Sequence, residues 1–141
     1  MIKSVRLATI KDAEELSRLN QAFNGSARRI QSEIIQSMER SNELIAVAIL
    51  NEKIVGFACA QSYESFCYRE LQGEITEMYI EKTARRLGFA TSLIKLLENN
   101  LLDRGVREIK ILTNRTNSAA IKTYEKCNYV QDEVILFEKE F

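Results

Sequence analysis

Residues 85–90 read RRLGFA, at the point where a strand pattern gives way to a long helical one. A loop entering a helix points several backbone N–H groups outward, and the aligned peptide dipoles add partial positive charge there. Arg85 and Arg86 bring two full charges to the same place, while Gly88 and Ala90 leave the backbone open to close approach. Such a loop can grip a diphosphate. A dinucleotide fold would want G-x-G-x-x-G straight after the first strand, and a Walker loop would end in Gly-Lys-Ser/Thr. A single late glycine meets neither requirement.

The chain contains no histidine, which removes Ser-His-Asp triads, Cys-His pairs and His-based zinc sites. A general base must then be a carboxylate, a tyrosine, a lysine or a water, unless the substrate arrives deprotonated. Glu74 and Glu77 lie on the strand beside the loop, in the pattern GEITEMYI at residues 73–80. Three residues apart, they face opposite sides of a regular strand, an arrangement that a bulge would change.

The elements that must position these groups follow from apolar spacing. Residues 2–7 read as a strand. Thr9, with Asp12 three positions on, opens a helix over 10–23 that Asn24-Gly25 ends. Ser26 can cap a second helix to about Met38. Leu44–Leu50 and residues 54–61 form a hairpin around Asn51-Glu52-Lys53, and residues 73–80 add a strand. A long helix runs from about Ala90 to Asp103 and stops at Gly105. Residues 107–112 are expected as a short buried strand, 117–127 as a helix and 129–137 as a final strand. This order predicts one mixed α/β domain over residues 1–141: a mostly antiparallel sheet with a central parallel pair, flanked by helices.

Arg85, Gly88 and Ala90 match the three specified positions of a Gln/Arg-x-x-Gly-x-Gly/Ala loop. Downstream, Asn117, Ala120 and Tyr124-Glu125-Lys126-Cys127-Asn128-Tyr129 match a second block in order and spacing. On these two blocks, over about residues 44–138, the sequence resembles the GNAT superfamily of N-acetyltransferases. Three departures stand out: Arg86 where many members have glycine, Cys127 for leucine, and Asn128-Tyr129 for Gly-Phe. Asn128 tolerates the left-handed conformation and can still end the helix.

The resemblance implies that acetyl-CoA is the cosubstrate and that an amine attacks its thioester directly. It implies that the backbone of Met78, Tyr79 and Ile80 holds the pantetheine arm like an extra strand. The N–H groups of Arg86, Leu87, Gly88, Phe89, Ala90 and Thr91, with the Arg85 side chain, would hold the diphosphate. An N–H of Met78 or Tyr79 would polarise the thioester carbonyl. Tyr124 takes the place of the proton donor to the departing thiolate, and an ordinary phenol stays protonated at neutral pH. Asn117 would bond the pantetheine arm or diphosphate, and it is also a good helix N-cap. Glu77 or Glu74 would draw the amine proton, directly or through water. Cys127 has no histidine or close basic partner to activate it as a nucleophile.

The acceptor is expected to be a small-molecule amine. Glu64, Glu70, Glu74 and Glu77 would suit a cationic one, and the aromatic segment 63–68 (YESFCY) either lines its pocket or closes over the core. Protein acetylation and a non-catalytic acyl-CoA-binding module are the alternatives. Twenty basic and twenty acidic residues balance, which argues against non-specific nucleic-acid binding. Three cysteines without a C-x-x-C pair argue against a secreted disulfide framework, and no segment has the length to span a bilayer. A cytoplasmic enzyme, with a homodimer possible, is the expectation, and no metal is implied.

Overall fold

Leu44–Leu50 (β2) and Lys53–Tyr63 (β3) are apolar runs joined by Asn51 and Glu52, whose φ angles of 48° and 71° make a two-residue hairpin turn. Positive φ at both turn positions matches the right-handed twist of the flanking strands. The chain is described here by a computed structural model that covers residues 1–25 and 27–141. Lys3–Leu7 (β1) pairs with β2, and Gln72–Ile80 (β4) pairs with β3, all antiparallel. Ile109–Ile111 (β5) lies parallel to the first part of β4. The sheet order is β1-β2-β3-β4-β5.

Helices cover both faces. Phe89–Asp103 (α3) buries Phe89, Leu93, Ile94, Leu97 and Leu101 against a floor of Ala46, Ala48, Ala58, Ala60 and Ile75. The small side chains on the strands allow the helix to approach the sheet closely. On the other face, Leu16 and Leu19 of Ala13–Asn24 (α1) pack on Val47, Phe57 and Cys59, with Met38 of Gln31–Arg40 (α2) beside them. Ser118–Lys126 (α4) follows β5.

The expected N-terminal cap is present, though the first turn, Ile10–Asp12, is tighter than an α-helix. Asp12 Oδ2 accepts from the Thr9 amide at 2.8 Å, and both carboxylate oxygens accept from Arg6 at 2.7 and 3.0 Å. Arg6 thereby holds the Asp12 carboxyl below the usual carboxylate range. Ser26, expected to cap α2, lies outside the described residues; α2 starts at Gln31, with Ile30 before it in extended conformation.

Two strand expectations are corrected. β5 has three residues, and it is a half-buried edge rather than a buried strand, so the parallel pair stands at the sheet's margin. Residues 129–137 form no strand. Asn128 (φ 72°) does end α4, and the Tyr129 amide bonds back to Tyr124 at 3.0 Å, but Val130 is 90% and Phe137 88% exposed. The apolar and β-branched residues there, Val130 and the run from Val134 to Phe137, have β propensity without a ladder, and propensity alone does not hold a strand.

Candidate active site

The site is built around the second half of β4. Its pairing with β3 slips at one place: Cys59 opposes Glu77, while Ala60 opposes Ile75, so Thr76 is an extra residue. This bulge resolves the parity of the two glutamates. Directly opposed residues share a face, and Cys59 and Gln61 are two apart on regular β3. Their partners Glu77 and Glu74 therefore lie on the same, α1-covered face.

β5 pairs only with Gly73, Glu74 and Ile75, so β4 is free of β5 from Thr76 to Ile80. An extended arm laid there would find unpaired strand groups, as the sequence comparison expects for Met78, Tyr79 and Ile80. The side chains of Met78 and Ile80 pack into the α3 core, and Tyr79 packs with Phe23 and Phe57 on the opposite face.

At the end of β4 the Arg85 side chain donates from Nε to the Ile80 carbonyl at 2.8 Å, and its guanidinium lies over the Tyr79 ring. Arg86 and Gly88 both have positive φ, 63° and 86°. The φ at Arg86 explains why glycine is usual at that position in the resembling family: a side chain there carries strain of roughly 1–2 kcal/mol. Ser92 is the first residue of α3 whose amide finds a carbonyl, that of Gly88 at 3.1 Å. Among the described residues, the amides of Arg86, Leu87, Gly88, Phe89, Ala90 and Thr91 have no such acceptor. A Cβ on Gly88 would meet nothing within 4 Å, so the cup above the helix end is open. Amides, dipole and two arginines together fit a diphosphate.

Beside the free edge of β4 is a cavity of about 190 Å³ lined by Thr76, Glu77, Met78, Ile111, Asn117 and Tyr124, among others. Asn117 caps α4, its Oδ1 accepting from the Ala120 amide at 3.1 Å. Tyr124 is half-buried, and burial pushes its phenol up from the ordinary value. Its hydroxyl bonds to no other described residue, unlike that of Tyr129, which donates to Glu98 at 2.7 Å. The Tyr124 hydroxyl is not sealed in the core, and the residue lines the cavity.

A second cavity, of about 370 Å³, lies on the α1 and α2 side. Leu16, Ile34, Met38, Ile45 and Phe57 give it apolar walls, and Glu43, Cys59 and Glu77 stand together within it. Glu77 alone, among the candidate residues, lines both cavities. Its Oε1 accepts from the Thr76 hydroxyl at 2.9 Å, which orients the carboxylate. Glu74 lines neither cavity and faces Lys110 at 3.9 Å. Residues 63–68, with Glu64 and Glu70, also lie away from both.

Glu43 was not singled out by sequence. It precedes β2 and shares the parity of Ile45 and Val47, which would place it on the α1 face, but only the folded sheet, in which Ile45 opposes Cys59, brings it near Glu77. Burial, then the charge of Glu77, pushes its carboxyl above the ordinary value, partly offset by the Cys59 thiol and by Arg29. A carboxyl raised on folding contributes stability below its unfolded pKa and loses it as pH climbs through the folded one. Glu43→Gln should therefore match the wild type in stability near pH 4 and exceed it increasingly toward pH 7. Denaturant melts at the two pH values check this; equal gains at both would mean that the charge is not the cause.

A parallel pair that stops at Ile75 leaves the rest of β4 open beside an amide-lined helix entrance, a layout that fits an extended arm ending in a diphosphate. The chain belongs to the acetyltransferase (GNAT) family, whose model matches residues 11–129. It is 29% identical over 109 residues to an acetyltransferase of Yersinia pestis (strain Pestoides F), covering 77% of this chain and 73% of that one. Its backbone is similar to that of an aminoglycoside acetyltransferase from an uncultured soil metagenomic sample (TM-score 0.87, 16% identity, 99% of this chain and 96% of that one). It is also similar to AAC(6')-Iy, solved with the bisubstrate analog CoA-S-monomethyl-acetylneamine (TM-score 0.86, 16% identity, 100% and 99% covered). At such identities the structural likeness is one of fold. Family membership makes the chain an N-acetyltransferase with acetyl-CoA as its donor, and among the described residues no helix is long and apolar enough to cross a membrane.

Proposed function

We propose that the protein acetylates the primary amine of a small molecule, by direct attack within a ternary complex. The observation that carries this reading is Glu77, which borders the cavity at the free edge of β4 and also the apolar-walled cavity under α1 and α2. The first accommodates the thioester end of the donor and the second the acceptor. The cup of residues 86–91 with Arg85 takes the diphosphate, and the β4 edge takes the pantetheine arm.

In the reaction, Glu77 draws a proton from the acceptor's ammonium, directly or through a water. The freed lone pair forms the bond to the thioester carbon, while an N–H of Met78 or Tyr79 receives charge developing on the carbonyl oxygen. The carbon–sulfur bond breaks with its electron pair on sulfur, and Tyr124 gives its hydroxyl proton to that sulfur. The new amide nitrogen gives up its remaining extra proton through water, which restores the Tyr124 phenol, and Glu77 passes its proton to solvent.

Two measurements test the reading. Calorimetry with acetyl-CoA should show saturable binding that weakens at least about ten-fold in Gly88→Glu, because the new carboxylate opposes the diphosphate and a side chain is strained at φ 86°. A turnover screen should then find small amines as acceptors. If turnover is confined to peptide amines, the acceptor is a protein and the small-molecule reading falls.

A further inference from the structure

Glu43, just before β2, lies diagonal to the opposed pair Cys59 of β3 and Glu77 of β4, and the ligand-type atoms of all three lie within 4.8 Å of one another. Cys59 is buried, and burial together with the two carboxylates pushes its thiol well up, so the sulfur stays a neutral S–H between them. The basic residue lining this cavity is Arg29, and it is ion-paired with Glu33 of α2 at 3.7 Å. Among the described residues the cavity thus presents two carboxylates and one shared counter-charge, on walls that are apolar at Leu16, Ile34, Met38, Ile45 and Phe57 and polar at Asn20, Asn24 and Ser37. Holding Glu43 half-buried beside Glu77 opposes folding near neutral pH, as its raised carboxyl shows. A cation bound between the two carboxylates would relieve this cost.

The two carboxylates are not equivalent. Glu77 borders both cavities, while Glu43 borders the acceptor cavity alone. A second carboxylate on the reacting nitrogen would hold its proton in place and oppose attack. Glu43 is better used on a group that keeps its charge throughout.

We propose that Glu43 sets acceptor specificity by receiving the second, non-reacting ammonium of a short diamine or polyamine whose reacting amine faces Glu77. This rests on the cavity under α1 and α2 being the acceptor pocket. The close spacing of the carboxylates suits two nitrogens separated by a few methylene groups, and Leu16, Ile45 and Phe57 give that spacer an apolar wall.

The test is a matched pair of acceptors, 1,4-diaminobutane and n-butylamine, with the full-length wild type, Glu43→Gln and Glu43→Asp. The wild type should prefer the diamine by about 30-fold in kcat/KM, the size of one charged hydrogen bond. Glu43→Gln should cut that preference below about three-fold through KM, with kcat little changed, and Glu43→Asp should restore part of it. Unchanged acetyl-CoA affinity and an intact melt show that the variants are folded. A wild type without preference, or a preference that survives Glu43→Gln, overturns the assignment while leaving small-molecule acetylation standing. An equal loss of kcat on both amines also overturns it, placing Glu43 on the reacting nitrogen. Turnover of neither amine overturns the assignment and, where peptides alone react, the small-molecule reading with it.

Discussion

Glu77→Gln is expected to lower kcat by about 10²–10³-fold while leaving acetyl-CoA affinity unchanged. The amide keeps the shape of the carboxylate and can still accept from the Thr76 hydroxyl, so the bulge should survive. What it loses is the ability to take a proton. The deficit should therefore shrink as pH rises toward the ordinary range of an alkylammonium, near pH 10, where the acceptor arrives neutral. A kcat profile of wild type and variant from pH 7 to 10 measures this. Parallel profiles would mean that Glu77 does not carry the proton, and an unchanged kcat would pass the role to water. Glu74→Gln should have a much smaller effect, because Glu74 faces Lys110 and lines neither cavity.

How far the site could be read in advance depended on the range of the forces that place each residue. The helix α3 was legible because Phe89, Leu93, Ile94, Leu97 and Leu101 repeat at helical spacing, and that repeat is local. The phosphate-type loop was legible for the same reason: its amides, its arginines and Gly88 are consecutive. Tyr124 and Asn117 were found through a motif, and the structure brings both to one cavity with Glu77. The parity of Glu74 and Glu77 was not readable, because a single extra residue, Thr76, inverts it and no local pattern marks the bulge. Glu43 was missed for a similar reason. Its meaning comes from the folded sheet, which brings position 43 diagonally against the opposed pair 59 and 77. The strand expected over residues 129–137 failed in the other direction: a local pattern without the neighbour that would make it a strand.

Tyr124→Phe separates catalysis from structure more sharply than any other single substitution here. Its hydroxyl bonds to no described residue, so its removal should shift stability by no more than about 0.5 kcal/mol. kcat should fall by about 10², because the departing sulfur loses its proton donor, and acetyl-CoA affinity should hold. Tyr129→Phe is the contrast. There the hydroxyl donates to Glu98 at 2.7 Å, and its loss should destabilise the fold by about 1–2 kcal/mol with little effect on kcat. Burial raises the Tyr124 phenol, so the donor form persists through neutral pH and to beyond its ordinary value near 10. In the wild type, any alkaline fall in kcat due to this group must then lie above pH 10, and Tyr124→Phe should abolish that limb. If Tyr124→Phe keeps its rate but loses stability, the residue is a packing tyrosine, and the thiolate must take its proton from a water in the cavity.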